Sequence, residues 1–316
     1  MNKALIAIDK SHSFRVYLAI STTMVEDARK VHQTSPLATA ALGRALTGAG
    51  LMGLQLKNQK DKLTIQFKGD GPAGEILVTA SGDGTVKGYI HNPDVDLPLK
   101  KNGKLDVGGA IGNGTLTVIK DLGLREPYVG RIDLVSGEIG EDLTAYFFLS
   151  EQQSTSVALG VRINTDYTTL AAGGMIIQML PDANPGSVEV LEKLLADMTP
   201  VSSLVEEVTG QSAGKTEEAV IDALLERIFK PLPEEFAVER LEYRDIKWNC
   251  DCSLERLEQV VLSIGSKDLS EIIKEDEKAE LVCQFCGTKY QFDKEHLERL
   301  LKESMQKEER ADAKGI

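Results

Sequence analysis

Cys250, Cys252, Cys283 and Cys286 are the only cysteines in a chain of 316 residues, and all four lie in its last quarter. They form a CxC pair and a CxxC pair with thirty residues between them. Two thiol pairs flanking a foldable segment read as a four-thiolate zinc site. Zinc takes soft thiolates in tetrahedral geometry without ligand-field cost. Four sulfurs fill its shell and leave no position for a reactive water, so the pattern points to a structural or regulatory centre and not a hydrolytic one. A CxC half-site is rarer than CxxC, which marks the centre as more than a staple. His296, ten residues beyond Cys286, reads as an exposed helix residue and not as a ligand.

Thiolates are also the oxidisable form of cysteine. Cys283 and Cys286 have the CxxC spacing that closes easily, whereas a bridge between Cys250 and Cys252 is strained and readily reduced again. The CxxC pair is therefore expected to close first. A reversible, strained disulfide suits a switch.

Other candidate motifs fail on context. Gly210-Gln-Ser-Ala-Gly-Lys-Thr216 resembles a phosphate-binding loop but is one residue short between its glycines and follows a helical pattern, so Thr216 reads as a helix cap. The Cys283-Gln-Phe-Cys286 dithiol opens the alternative of a thiol–disulfide oxidoreductase. That activity needs the motif at a helix N-terminus, whereas here a strand pattern precedes it and Gly287 follows, as in a zinc knuckle. His12, His32 and His91 are isolated, and no catalytic set or organic cofactor site has local support. The reading is of a non-enzyme.

The net charge of −13 disfavours binding to phosphate backbones, and no basic block offsets it, which argues against a zinc-ribbon nucleic-acid binder. The N-terminus lacks the apolar core and cleavage site of a signal peptide. The longest apolar stretch, Leu37 to Leu56, carries Arg44 and Gln55 and reads as a closely packed helix, not a membrane span. A cytoplasmic location follows as the expectation, with the thiols kept reduced.

The elements that position the cysteines divide into parts. Residues 1–181 read as an α/β domain: strands at Ala4–Ile8 and Phe14–Ile20, a helix over Met24–Thr34, a small-residue helix after Pro36, and a β-meander from Leu63 to Lys120. The meander's turns are placed at Gly69-Asp-Gly71, Gly82-Asp-Gly84 and Gly112-Asn-Gly114. Residues 182–245 hold fifteen acidic and six basic residues, with helical patterns at Ser187–Met198, Val201–Val208 and Thr216–Phe229 and little sheet context. Such short helices are marginal alone and depend on their neighbours.

Residues 246–302 form the cysteine module. Its helix after Ser253 is expected to bury positions 254, 257, 260, 261 and 264, and a second short helix lies near Leu269–Lys274. Glu280–Val282 and Thr288–Phe292 form a hairpin around the CxxC knuckle, and a last helix starts at Asp293. The expected core is Trp248, Phe285, Tyr290, Phe292 and the helix leucines. Residues 303–316 are a charged tail, frayed beyond about 306. The fold class is α+β: an N-terminal α/β domain, an acidic helical linker and a small zinc-binding module.

The CxC–thirty–CxxC arrangement resembles the heat shock protein 33 family of redox-regulated holdase chaperones. So do Gly69-Asp-Gly-Pro-Ala-Gly74 with Gly88-Tyr-Ile-His-Asn-Pro93, and Gly112 through Asp121. Pro127-Tyr128, Gly137-Glu138, Tyr146-Phe147 and Ser150-Glu-Gln152 extend the likeness, which covers roughly residues 1 to 300. The resemblance implies that Cys250, Cys252, Cys283 and Cys286 hold one zinc ion in an inactive, reduced state. It further implies that oxidation pairs Cys250 with Cys252 and Cys283 with Cys286 and frees the metal. Loosening of the linker would then expose apolar surface for unfolding client proteins, without ATP, in an active homodimer.

Overall fold

The computed structural model describes residues 1–312, and side chains through residue 308; it divides into two units, Met1–Asn249 and Cys250–Ile316. Positions 313–316 of the charged tail lie outside the described residues.

The first unit opens with β1 (Lys3–Asp9), β2 (Phe14–Ile20), α1 (Thr22–His32) and α2 (Pro36–Gly53). Then come β3 (Lys62–Gly69), β4 (Glu75–Ser81), β5 (Thr85–Ile90), the short α3 (Val107–Ile111), β6 (Gly114–Asp121) and β7 (Tyr128–Asp133). α4 (Gly140–Leu149), β8 (Thr155–Ile163) and β9 (Thr169–Met179) follow. The acidic segment supplies α5 (Gly186–Ala196), α6 (Val201–Gly210), α7 (Glu217–Phe229) and β10 (Val238–Asp245), and β11 (Lys247–Trp248) ends the unit. The strands form a five-stranded sheet, β10-β1-β2-β9-β8, and a six-stranded sheet, β11-β5-β4-β3-β6-β7.

α2 begins with Pro36 in its first turn, and the Ser35 hydroxyl accepts the Ala38 N–H at 3.1 Å. It is buried almost all round because it packs against strands of both sheets. Its small residues permit this: a Cβ at Gly43 would stand 2.6 Å from a methyl group of Val25. Strands β1, β2 and β9 are buried on both faces of the five-stranded sheet, and period-two alternation divides their side chains. Ala4, Tyr17, Ala19 and Ile176 join the core around α2. Leu5, Val16, Leu18, Met175 and Ile177 face a second core made with Leu204, Val205, Ile221, Leu224, Ile228 and Phe229 of the acidic segment. The acidic helices thus cover one apolar face of this sheet.

Three features depart from the sequence reading. The meander stops at β5; the chain then loops through α3 before β6, which pairs with β3 and not with β5. Gly112–Gly114 is accordingly no hairpin turn but the exit of α3, where the Asn113 N–H donates to the Asp70 carboxylate at 2.8 Å. The acidic segment also has the sheet context the sequence hid, because β10 pairs antiparallel with β1 over Lys3–Asp9. Its charged, exposed side chains are those of a guarded edge strand, so the usual apolar alternation is absent.

The second unit contains α8 (Leu254–Ser263), α9 (Ser266–Glu275), the antiparallel pair β12 (Ala279–Val282) and β13 (Lys289–Phe292), and α10 (Lys294–Asp312). Its core is Val261, Leu262, Leu269, Ile273, Phe292, Leu297 and Leu300. Trp248 is not part of it: β11 pairs with β5, and the indole packs on the first unit's core with the His32 ring 5.7 Å away. Phe285 is half-buried and outside the core. On α8 the buried face is rotated from expectation; Leu254, Val260 and Ile264 are exposed while Leu262 is buried, because α9 and α10 both pack on the Val261–Leu262 side. α10 continues past the expected fraying point to Asp312.

Candidate metal centre

Each cysteine is carried by a locally determined turn. Cys252 directly precedes Ser253, whose hydroxyl accepts the Arg256 N–H at 3.3 Å and starts α8. Arg256 also reaches back to the Asp251 carboxylate at 2.5 Å, fixing the CxC stretch. Cys283 and Cys286 lie in the turn between β12 and β13. The Cys283 N–H donates to Thr288 O at 2.9 Å, and the Gly287 N–H donates to Cys283 O at 2.8 Å. Gly287 has φ +71°, which suits a residue without a Cβ.

These turns bring the four Sγ atoms within 4.8 Å of one another. Cys250 and Cys283 are 3.7 Å apart, and Cys252 and Cys286 are 3.4 Å apart. A tetrahedron with metal–sulfur arms of about 2.3 Å has edges of about 3.8 Å, so the donor set fits a thiolate-bound ion. The four cysteines are placed to hold a metal ion. His296 does not join them, and it is not the exposed residue the sequence suggested. Its half-buried ring packs on Phe292, with Nε2 2.7 Å from the Glu258 carboxylate.

As free thiols Cys250, Cys252 and Cys286 are unequal. Burial pushes Cys250 and Cys252 up. Burial also pushes Cys286 up, but the Thr288 hydroxyl and amide and the neighbouring sulfurs outweigh it and bring it down to about 7. The Tyr290 phenol donates to Cys252 Sγ at 3.2 Å, and that contact raises the phenol to about 12. Thr288 Oγ1 lies 3.2 Å from Cys286 Sγ. Tyr290 was read only as a core aromatic and Thr288 only as a strand residue. Only Tyr290 lies in β13, while Cys286 and Thr288 precede it in the turn, so no strand period in the sequence pointed to these contacts.

The decoy motifs resolve as loops. Gly210 ends α6, and the Thr216 hydroxyl accepts the Ala219 N–H at 3.2 Å to cap α7. The CxxC dithiol sits in a strand turn and not at a helix start.

The chain is thus a two-sheet α+β unit followed in sequence by a small four-cysteine module. The family model described as Hsp33 protein matches residues 2–293, and the chain belongs to that family. The chain is 46% identical over 298 residues to the 33 kDa chaperonin of Alkaliphilus oremlandii, covering 94% of this chain and 95% of that one. It is also 46% identical over 302 residues to the 33 kDa chaperonin of Clostridium tetani, covering 95% and 98%. The crystal structure of the 33 kDa chaperonin of Thermotoga maritima superposes with a TM-score of 0.82 at 36% identity, covering 96% of this chain and 99% of that one. The name chaperonin carried by these relatives is consistent with a non-enzyme. Among the described residues no helix is long and apolar enough to cross a membrane.

Proposed function

We propose that this chain is an ATP-independent holdase chaperone, off when reduced and metal-bound and on when its cysteines are oxidised. The observation that carries the reading is the convergence of all four sulfurs within 4.8 Å in a module whose core, among the described residues, is a cluster of seven buried side chains. A core that small needs a staple. Zinc, held by Cys250, Cys252, Cys283 and Cys286, suits four soft donors and supplies about 10–16 kcal/mol of binding coupled to folding.

Oxidation into Cys250–Cys252 and Cys283–Cys286 disulfides removes all four thiolate donors, and with them the staple. The module then unfolds. Cys250 follows β11 by two residues, and β11 follows β10, so disorder in the module reaches the acidic segment along the chain. In this reading residues 182–245 are a linker that leaves the five-stranded sheet. Its departure bares Leu5, Val16, Leu18, Met175 and Ile177 together with the apolar faces of α6 and α7. An acidic segment stays soluble when unfolded while still offering apolar patches to unfolding client proteins. Residues 1–181 serve as the client-binding and dimerisation domain, 246–302 as the switch, and the active form is a homodimer. The thiols require a reducing compartment, the cytoplasm.

Light scattering from a heat-unfolded client, without ATP, tests the reading with zinc-reduced and peroxide-oxidised protein. Suppression only by the oxidised form is expected. Equal suppression by both contradicts the switch, and none by either contradicts the holdase.

A further inference from the structure

Two hydroxyl-bearing side chains stand against the sulfurs of the centre: Tyr290 donates to Cys252 Sγ at 3.2 Å, and Thr288 lies 3.2 Å from Cys286 Sγ. Those two sulfurs are neighbours at 3.4 Å. The Tyr290 position is fixed independently of the sulfur. Its strand residue pairs with Leu281, and its ring packs on the core that contains Phe292 and Leu297. A hydrogen bond to a thiolate is charge-assisted and draws density from the lone pair that attacks an oxidant.

We propose that Tyr290 is a redox-tuning residue whose hydroxyl damps the attack of Cys252 on peroxide and so sets how much oxidant the switch needs. This rests on the redox reading above. The Cys252 thiolate attacks one peroxide oxygen, the O–O bond breaks, and hydroxide leaves a sulfenic acid. A second thiolate, Cys250 in the pairing proposed above, attacks that sulfur, forming the S–S bond and expelling the second hydroxide. Two electrons pass from two sulfurs to one peroxide, and protons from the buffer acid convert the two hydroxides to water.

The test is Tyr290→Phe, which keeps the ring, in the full-length reduced, zinc-loaded protein. Thiol loss at each cysteine is followed in hydrogen peroxide by alkylation and mass mapping. Cys252 is expected to react about threefold to tenfold faster, with the melting temperature unchanged. In the cobalt-loaded protein the thiolate-to-metal charge-transfer band is expected at longer wavelength, because a sulfur lone pair without its donor lies higher in energy. An unchanged Cys252 rate with an unchanged band overturns the proposal, as does equal acceleration of all four thiols with a lowered melting temperature. Wild-type protein that forms no disulfide in peroxide overturns the redox reading and this inference with it. Wild-type oxidation matched by the variant overturns this inference alone.

Discussion

The Glu308 carboxylate on α10 caps the N-terminus of α9 through Ser266, accepting its backbone N–H at 2.9 Å and its hydroxyl at 2.7 Å. The residue at the cap position, Gly265, has φ +95° and no side chain to do this. One orphan donor of α9 is thus satisfied from a helix that lies beyond the 2–293 range of the family model. Glu308→Ala is expected to lower the melting temperature of the reduced, metal-loaded module by about 2–4 °C. Glu308→Gln, which keeps an acceptor, is expected to lose less. Thermal melts followed by circular dichroism check both.

Gly84 ties the six-stranded sheet to the end of the acidic segment. It has φ +84°, a Cβ there would stand 2.0 Å from Asp245 O, and its own carbonyl accepts the Lys247 N–H at 3.0 Å. Gly84→Ala forces the β10–β11 junction aside and carries a left-handed backbone penalty of about 1–2 kcal/mol. The expected result is raised holdase activity in reduced protein, read by client light scattering.

Acid weakens the first unit through Glu26. The Arg29 guanidinium bonds to this carboxylate, burial opposes the effect, and the Thr169 amide adds to it, bringing Glu26 from 4.5 down to about 2. A depressed carboxylate contributes fully above its unfolded value and loses that contribution as pH falls, here between about 4.5 and about 2. Glu26→Gln is expected to flatten the fall in stability across that window while lowering stability at pH 7. Urea titrations at pH 7, 4 and 3 measure it.

Oxidised protein is expected to contain Cys250–Cys252 and Cys283–Cys286, with the second forming first. The shortest sulfur approaches instead run across the turns, Cys250 to Cys283 and Cys252 to Cys286. Within a four-thiolate cluster such contacts do not select partners, because all edges of a tetrahedron are alike. Peptide mapping after timed peroxide quenches decides the pairing. Cross-linked Cys250–Cys283 contradicts the proposed pairing.

The centre was legible because cysteine spacing is a covalent fact, and the hairpin that presents Cys283 and Cys286 follows from strand patterns on either side. The small-residue helix and the Thr216 cap were legible for the same local reasons. Trp248 was not, since two strand residues beside a cysteine carry no sign of which sheet they join; its pairing with β5 is set 162 positions upstream, at Val86. β10 escaped because an edge strand with charged faces lacks alternation. The buried face of α8 was misjudged by periodicity alone, which cannot tell on which side α9 and α10 will pack. The Tyr290 hydroxyl bond to Cys252 was not legible, because no local pattern aims a phenol at a sulfur 38 positions away.

Amide hydrogen exchange across residues 182–245, compared between reduced zinc-loaded and peroxide-oxidised protein, tests the central claim most directly. Loss of protection in α6, α7 and β10 on oxidation, with β3, β4 and β6 still protected, is the expected result. Unchanged protection in α6, α7 and β10 would contradict the claim that the four sulfurs control the cover over the five-stranded sheet.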